Sequence, residues 1–289
     1  MKNSRPKFGR RFLRRKTLIE KICDKTQSLK DFTDNHCAQA SFVFTYLLKD
    51  REIKVNGKKI SENVLLQAGD TVQYYLTEKQ MQRLSYSIVY EDENVIIADK
   101  ESGVNSEAVF EELYEKQGGR CAFIHRLDRN TRGLIVFAKT GIAEKELLAA
   151  FKEKRVEKRY HALCFGAPKK SAAVLTAYLK KDAQRSEVKI FDVAKTGAEK
   201  IITEYKLIEE KAGLSKLEIV LHTGKTHQIR AHLAHVGLPI VGDMKYGDTK
   251  RNREQNATRQ QLVAKELSFS FDGVLSYLNG KRFRSKFEL

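Results

Sequence analysis

The chain has no tryptophan, three prolines and four cysteines among 289 residues. The cysteines (Cys23, Cys37, Cys121 and Cys164) stand far apart and include no Cys-x-x-Cys pair. That argues against a zinc knuckle or a disulfide framework and fits a reducing cytosol. No apolar run approaches the length of a membrane helix. The N-terminus is basic but has no apolar signal core behind it, so the expectation is a cytoplasmic protein away from the membrane. P-loop and dinucleotide fingerprints are both missing, and no internal repeat is apparent. The scarcity of tryptophan and proline carries no functional information.

Acids are also in deficit. Lys and Arg number 54 against 37 Asp and Glu, a net charge of +17 and a pI near 9.6. Charge of that sign and size suits a polyanion, because neutralised phosphates release counterions. Hydrophobic residues make up 41% of the chain, enough for a substantial core.

The most informative run is His125-Arg126-Leu127-Asp128-Arg129-Asn130-Thr131-Arg132-Gly133-Leu134, which passes into an apolar strand ending at Ala138. It sets one acid, Asp128, between Arg126 and Arg129, cations expected to favour its ionised form. A bare Arg-x-Asp-Arg run is ordinarily a surface ion pair of little worth. A second run lies about a hundred residues on, Leu221-His222-Thr223-Gly224-Lys225-Thr226-His227-Gln228-Ile229-Arg230-Ala231-His232-Leu233. There Thr226 is expected to cap a short helix with Ile229, Leu233 and Val236 at helical spacing. The chain continues Gly237-Leu238-Pro239-Ile240-Val241-Gly242-Asp243-Met244-Lys245-Tyr246-Gly247.

These runs resemble the His-Arg-Leu-Asp-x-x-Thr-Ser-Gly-Leu and Thr-Gly-Arg-Thr-His-Gln-Ile-Arg-x-His-Leu signatures of the RluA-type RNA pseudouridine synthases. Arg132 replaces the usual Ser, and Lys225 the usual Arg. The family's Lys-Pro-x-Gly run reads Lys100-Glu101-Ser102-Gly103, without its proline. Its Leu-His-Ala run falls at Leu262-Val263-Ala264, without its histidine. The resemblance covers about residues 85 to 250.

Four segments are expected: a basic arm over 1–16, a small module over 17–80, a joint over 81–87 and the main domain over 88–289. In the module, 38–49 reads as a helix with Phe42, Tyr46 and Leu47 on one face. Strands are expected at 52–55 and 71–76, with a hairpin turn at Asn56-Gly57. The order Val55-Asn56-Gly57-Lys58 then Gly69-Asp70-Thr71-Val72 resembles an S4 RNA-binding domain, a common companion of these synthases. Where that domain has basic helix residues, this chain has Ala38-Gln39-Ala40-Ser41. In the main domain, paired strands are expected over 88–100, a helix over 143–155, and strands at 134–138, 160–166, 203–208, 215–221 and 267–271. Strands recurring irregularly among short helices indicate an α+β class, not a doubly wound fold. The resemblance implies a central mixed, largely antiparallel sheet.

The implied reaction breaks the C1′–N1 bond of a uridine, turns the base and joins C1′ to C5, and it requires no cofactor and no metal. Whether the acid adds to C6, adds to C1′ or takes a sugar proton is open at this level. A stacked base is out of reach, so the uridine must flip out of its helix or loop. The resemblance makes Asp128 the nucleophile, pairs it with Arg230, and places the Tyr160 ring against the uracil. It gives Arg126 the space the base vacates. It adds His125, Thr131, Leu134, Lys225, His227 and Ile229 as substrate or RNA contacts: the two histidines orient loops, and Leu134 and Ile229 wall the pocket. The implied partner is RNA, ribosomal in preference to transfer RNA, and the implied state is a monomer.

Two rivals compete. A metal hydrolase would use His222, His227, His232 and His235, but spacings of five, five and three do not place a ligand pair one helical turn apart. A non-catalytic RNA binder would keep the scaffold and account for the departures at Arg132, Lys225, Val263 and Ser102, yet has no need of Asp128, Arg230 and Tyr160 together.

Overall fold

The computed structural model describes residues 16–81, 86–182 and 187–289. The expected basic arm lies outside the described residues apart from Lys16, which opens a strand. Of the expected joint, 82–85 lies outside them too. The described chain divides into two compact units: 16–33 with 39–81, and 34–38 with 86–182 and 187–289.

The small unit holds a four-stranded antiparallel sheet in the order Lys16–Ile22, Thr71–Thr77, Ile53–Val55, Lys58–Ile60. Asn56 and Gly57 both take positive φ (49° and 77°), the conformation of a tight hairpin turn. The Asn56 side chain bonds back to Asp70 and the Thr71 N–H, tying that turn to the next strand. The expected 38–49 helix is interrupted. Val43 leaves the helical region (φ −115°, ψ 17°), which makes two short helices, Ala38–Phe42 and Phe44–Lys49. Phe44 and Leu47 form the buried face, whereas Tyr46 points to solvent. Residues 16–81 carry ten Lys or Arg against nine Asp or Glu, so this unit contributes almost nothing to the chain's basicity.

The large unit is built on one eleven-stranded sheet. Its order runs Glu187–Phe191, Ala172–Asp182, Glu199–Lys211, Leu214–Leu221, Val156–Phe165, Leu262–Phe269, Arg132–Ala138, Val95–Lys100, Tyr86–Glu91. Two short strands, Ala122–Phe123 and Arg282–Arg284, pair alongside. Every pairing is antiparallel except one, 132–138 with 262–269, so the sheet is mixed and largely antiparallel. That parallel contact lies at the exit of the loop carrying Asp128.

The 132–138 strand is buried along its whole length, because both faces of the sheet are covered there. Leu134, Val136 and Ala138 pack with Val95, Ile97 and helix Gly141–Lys152. On the other face Phe137 meets Phe110 of helix Ser106–Lys116, ring centroids 6.3 Å apart. A second cluster joins Tyr160, Ala162, Leu217, Ile219 and Leu262 to Ile229 and Leu233 of helix Gln228–His235. Each such aliphatic or aromatic side chain contributes about 1.5–3 kcal/mol on burial, so these clusters hold the loops at the sheet's edge.

Leu134 belongs to the first cluster, fully buried, and is not among the residues that line the cavity around Asp128. Its expected role as a pocket wall is therefore wrong. It sits two places past Arg132, where side chains already serve the core. Two of the departures from the family pattern meet in this region: Arg132 is registered against Val263 across the parallel pairing. The Arg132 guanidinium is buried and donates to the Glu288 carbonyl at 3.0 Å.

Gly133 is the tight point of the fold. It has φ of +117°, and a Cβ there would lie 2.3 Å from the Ala264 carbonyl oxygen and 2.6 Å from its nitrogen. Backbone blocks it on the only open side. Gly133→Ala is expected to cost roughly 2–4 kcal/mol through strain and a forced shift of the 262–269 strand. Chemical denaturation read by circular dichroism checks this; a loss under ~0.5 kcal/mol would contradict it.

Candidate active site

Asp128 sits in a loop pinned at almost every residue. Ser106 brackets Leu127: its hydroxyl receives the Leu127 N–H (2.9 Å) and donates to the Leu127 carbonyl (3.0 Å). The Arg129 carbonyl receives the Gly103 N–H and the Lys100 ammonium, each at 3.0 Å. Thr131 donates its N–H back to the Asp128 carbonyl, and its hydroxyl receives Gln260 Nε2 at 3.0 Å. Beside Glu101, which stands where the family has its proline, the Ser102 hydroxyl donates to the Asn130 carbonyl (3.1 Å) and ties this run to the loop.

Lys100 is fully buried beneath this loop. Its ammonium donates to the carbonyls of Glu101, Val104 and Arg129 at 2.8–3.0 Å. Burial presses its pKa down to about 7, against the opposing pull of the Asp128 charge. A buried cation is retained here because three carbonyls converge on it.

The sequence expected Arg126 and Arg129 to neutralise Asp128. Neither contact appears among the described interactions. Arg126 pairs with Glu107 at 2.8 Å, and Arg129 Nε donates to the Gly103 carbonyl at 2.9 Å. Neighbours in a turn diverge, so adjacency in sequence was a poor guide. The partner is Arg230, whose Nη1 lies 3.0 Å from Asp128 Oδ2. Its Nε and Nη2 grip both oxygens of Asp243, at 2.7 and 3.0 Å. A face of Arg230 also rests over the Tyr246 ring, 5.2 Å from its centroid.

Asp243 is the site residue the sequence left unassigned. It is 1% exposed and also receives the N–H groups of Lys245 and Tyr246. Burial raises its carboxyl, but the bonds from Arg230 and from those two backbone groups outweigh burial and hold it below its usual range. For Arg230 burial works against the charge, yet Asp243 and Asp128 overcome it and raise the guanidinium. The available sequence signal was the pair Gly242 and Gly247 around it. A Cβ at either would strike backbone at 2.0–2.1 Å, which marks a tight turn enclosing a buried acid.

The helix bearing Arg230 starts differently from expectation. The residue at its N-cap position is His227, in the left-handed region (φ 55°) and without a capping bond from its side chain, and not Thr226. The Gln228 side chain does the local work: its Oε1 receives the Thr223 hydroxyl and the Lys225 N–H, and its Nε2 donates to Ile202 and Thr203. His227 Nδ1 and the Tyr246 hydroxyl share a hydrogen bond of 2.8 Å.

Asp128 and Arg230 lie in a cavity of about 300 Å³. Its wall includes His125, Arg126, Thr131, Tyr160, Lys225, His227 and Ile229 from the expected set. Leu127, Phe151, Lys158 and Leu262 join them; the sequence reading had missed all four. Tyr160 is nearly buried, and burial together with the Asp128 charge raises its phenol, which keeps its proton at neutral pH. His125 stacks on Phe151 at 4.6 Å and its Nε2 receives the Val136 N–H at 3.1 Å. Burial, helped by the Lys158 charge, lowers it to about 3, so it is a neutral imidazole holding the loop to the sheet. Lys225 pairs with Glu199.

The histidines of the metal rival go separate ways, to Glu204 (His222), Tyr246 (His227), Thr203 (His232) and Asp192 (His235). No group of three possible ligands able to hold a metal occurs among the described residues. No helix of the described residues is long and apolar enough to cross a membrane.

A family model described as RNA pseudouridylate synthase matches residues 69–235. The chain belongs to the RNA pseudouridylate synthase family. It is an isomerase acting on RNA, of the RluA type. The chain is 30% identical to a ribosomal large subunit pseudouridine synthase C of Rickettsia bellii, over 70% of this chain and 76% of that one. It is 32% identical to an uncharacterized RNA pseudouridine synthase of Aquifex aeolicus, over 70% of each chain. Among solved structures, human RNA Pseudouridylate Synthase Domain Containing 1 superposes with a TM-score of 0.57 and 26% identity, covering 65% of this chain and 79% of that one.

Asp243→Asn is expected to cost about 3 kcal/mol at neutral pH, since it strips a buried guanidinium of its better partner. The folded-state pKa of Asp243 is depressed, so its contribution is present above the unfolded carboxylate value of about 3.9 and is lost as pH falls through and below it. Urea unfolding of both proteins at pH 7 and pH 3 should show the gap closing at acid pH. A gap equal at both would contradict the ion-pair account.

Proposed function

We propose that this synthase isomerises specific uridines of large-subunit ribosomal RNA, with Asp128 as the nucleophile on a flipped-out nucleotide. The observation carrying this reading is the Asp128–Arg230 ion pair inside a cavity that Tyr160 and Ile229 wall. In the scheme Asp128 bonds to the nucleotide while the C1′–N1 bond breaks. The uracil turns, C5 joins C1′ as the carboxylate is released, and the proton lost from C5 is matched by one taken up at N1. No atom is gained or lost, so no co-reactant is needed. Arg230 keeps the carboxylate aimed and compensates its charge, a positioning effect of the kind that dominates such sites. The protonated Tyr160 suits stacking on uracil, worth roughly 1–3 kcal/mol by analogy with single-strand binders. Arg126, on a flexible exposed stem, is suited to the space the base leaves.

The ribosomal assignment draws on relatives named ribosomal large subunit pseudouridine synthase C, from Rickettsia bellii and Vibrio parahaemolyticus, and D, from Pseudomonas aeruginosa. The small unit is assigned as an S4-like companion, supported by its strand order and its Asn56-Gly57 turn. Its near-neutral charge places the main phosphate attraction elsewhere in the chain. A ribosomal substrate supports work in the cytoplasm. The non-catalytic alternative loses its main support, because Arg132, Val263 and Ser102 lie outside the cavity wall and Lys225 keeps the cation.

The test is Asp128→Asn. Pseudouridine formation, read as tritium released from [5-³H]uridine-labelled ribosomal RNA, is expected to fall at least about 10³-fold. RNA affinity should stay within a few fold, because no phosphate contact is removed. Turnover by this variant near the wild-type rate would remove Asp128 from the chemistry.

A further inference from the structure

Four permanently basic side chains line the cavity: Arg126, Lys158, Lys225 and Arg230. Three are matched to carboxylates. Arg126 has Glu107, Lys225 has Glu199, and Arg230 has Asp128 and Asp243. Lys158 differs. Among the described residues it has neither an ion pair nor a hydrogen bond, and its ammonium lies over the Phe151 ring, 5.3 Å from Nζ to the centroid.

That arrangement has a cost. The ammonium is largely withdrawn from water, and burial lowers its pKa. A desolvated cation without a counter-charge is tolerated where a ligand completes the site. The ligand that fits is an anion: a uracil carbonyl would offer only a dipole, whereas a phosphodiester brings a full charge and several acceptor oxygens.

Position supports the same ligand. Lys158 and Tyr160 are alternate residues of the 156–165 strand, and both reach the cavity. Side chains two apart on a strand leave the same face roughly 6–7 Å from each other. A uracil ring and the phosphate of its own nucleotide are separated by a similar span. Gly224 passes above the ammonium, and a Cβ there would stand 3.7 Å from Nζ. The bare backbone leaves that approach open. Arg159, between the two, pairs with Glu218 and Glu157.

We propose that Lys158 is the phosphate-binding residue of the cavity, holding a phosphodiester that adjoins the flipped uridine while Tyr160 covers its base. This rests on the proposed function, and it adds a contact that aligns the ribose with Asp128.

The test uses a short RNA centred on a uridine that the wild-type protein converts, and two copies of it with a neutral methylphosphonate at the 5′ or the 3′ phosphate of that uridine. Lys158→Met keeps the apolar stem over Phe151 and removes the charge; Lys158→Arg restores a cation. Lys158→Met is expected to bind the natural RNA roughly tenfold more weakly, as for one charge-assisted contact, with thermal stability unchanged or raised. Lys158→Arg should recover most of the affinity. One methylphosphonate should weaken wild type by the same factor and leave Lys158→Met unaffected, the signature of two changes removing one interaction. Which of the two does so identifies the phosphate. Penalties that simply add for both substituted RNAs, in a protein that still converts the natural RNA, would overturn the assignment to Lys158 alone. A wild-type protein that converts no uridine would sink the proposed function, and this assignment with it.

Discussion

Arg230 is the residue on which the site depends. A buried guanidinium needs its donors met, and Asp243 meets two of them with a bidentate grip from below. The remaining edge faces Asp128. One arginine thereby connects a fully buried acid, which fixes its plane, with a partly exposed acid, which it aims. The charge arithmetic matters as well: one cation shared by two carboxylates offsets Asp128 only in part, and its partial exposure leaves water to offset the rest.

The sheet explains why these groups, a hundred residues apart, meet. The loop carrying Asp128 leads into the 132–138 strand, and helix 228–235 packs by Ile229 and Leu233 against the 156–165 and 262–269 strands beside it. The parallel 132–138/262–269 contact sets the loop's exit. It works only because Gly133 lets the two backbones touch. Buried polar groups then pin the loop from the inside: Lys100, Ser106 and Gln260 each hold backbone or side chain within three residues of Asp128. Departures from the family pattern are absorbed in this scaffold. Arg132 reaches the Glu288 carbonyl, and Ser102, next to the lost proline, bonds to the Asn130 carbonyl.

Much of this was legible in the sequence, and the failures share a physical cause. The strand pairing over 88–100 and the helix expected at 143–155, found at Gly141–Lys152, could be read because period and turn chemistry agree with the fold there, whereas the mixed sheet came with the family resemblance. The Asp128–Arg230 pair could be read because two long runs matched one family. Errors arose where direction, not type, decides the role. Arg126 and Arg129 are beside Asp128 in sequence and turn elsewhere in space; Leu134 lies one turn of chain beyond the cavity and faces the core. Asp243, Lys100 and Lys158 lie in or beside runs that resemble the family, yet the sequence assigned none of them a role in the site. Their importance comes from burial and from what converges on them, neither of which periodicity encodes.

The electrostatics of the cavity complete the picture. Burial makes His125 a weak base whose Nε2 already accepts the Val136 N–H, and it keeps Tyr160 protonated, so neither replaces Asp128 at neutral pH. The most direct measurement of this account is a structure of the protein bound to a substrate RNA. The account expects one uridine outside its stack, its ribose C1′ or uracil C6 within about 3.5 Å of an Asp128 oxygen while Arg230 still contacts that carboxylate. A uridine left in its stack, or one seated in the cavity with its sugar and ring both turned away from Asp128, would contradict it.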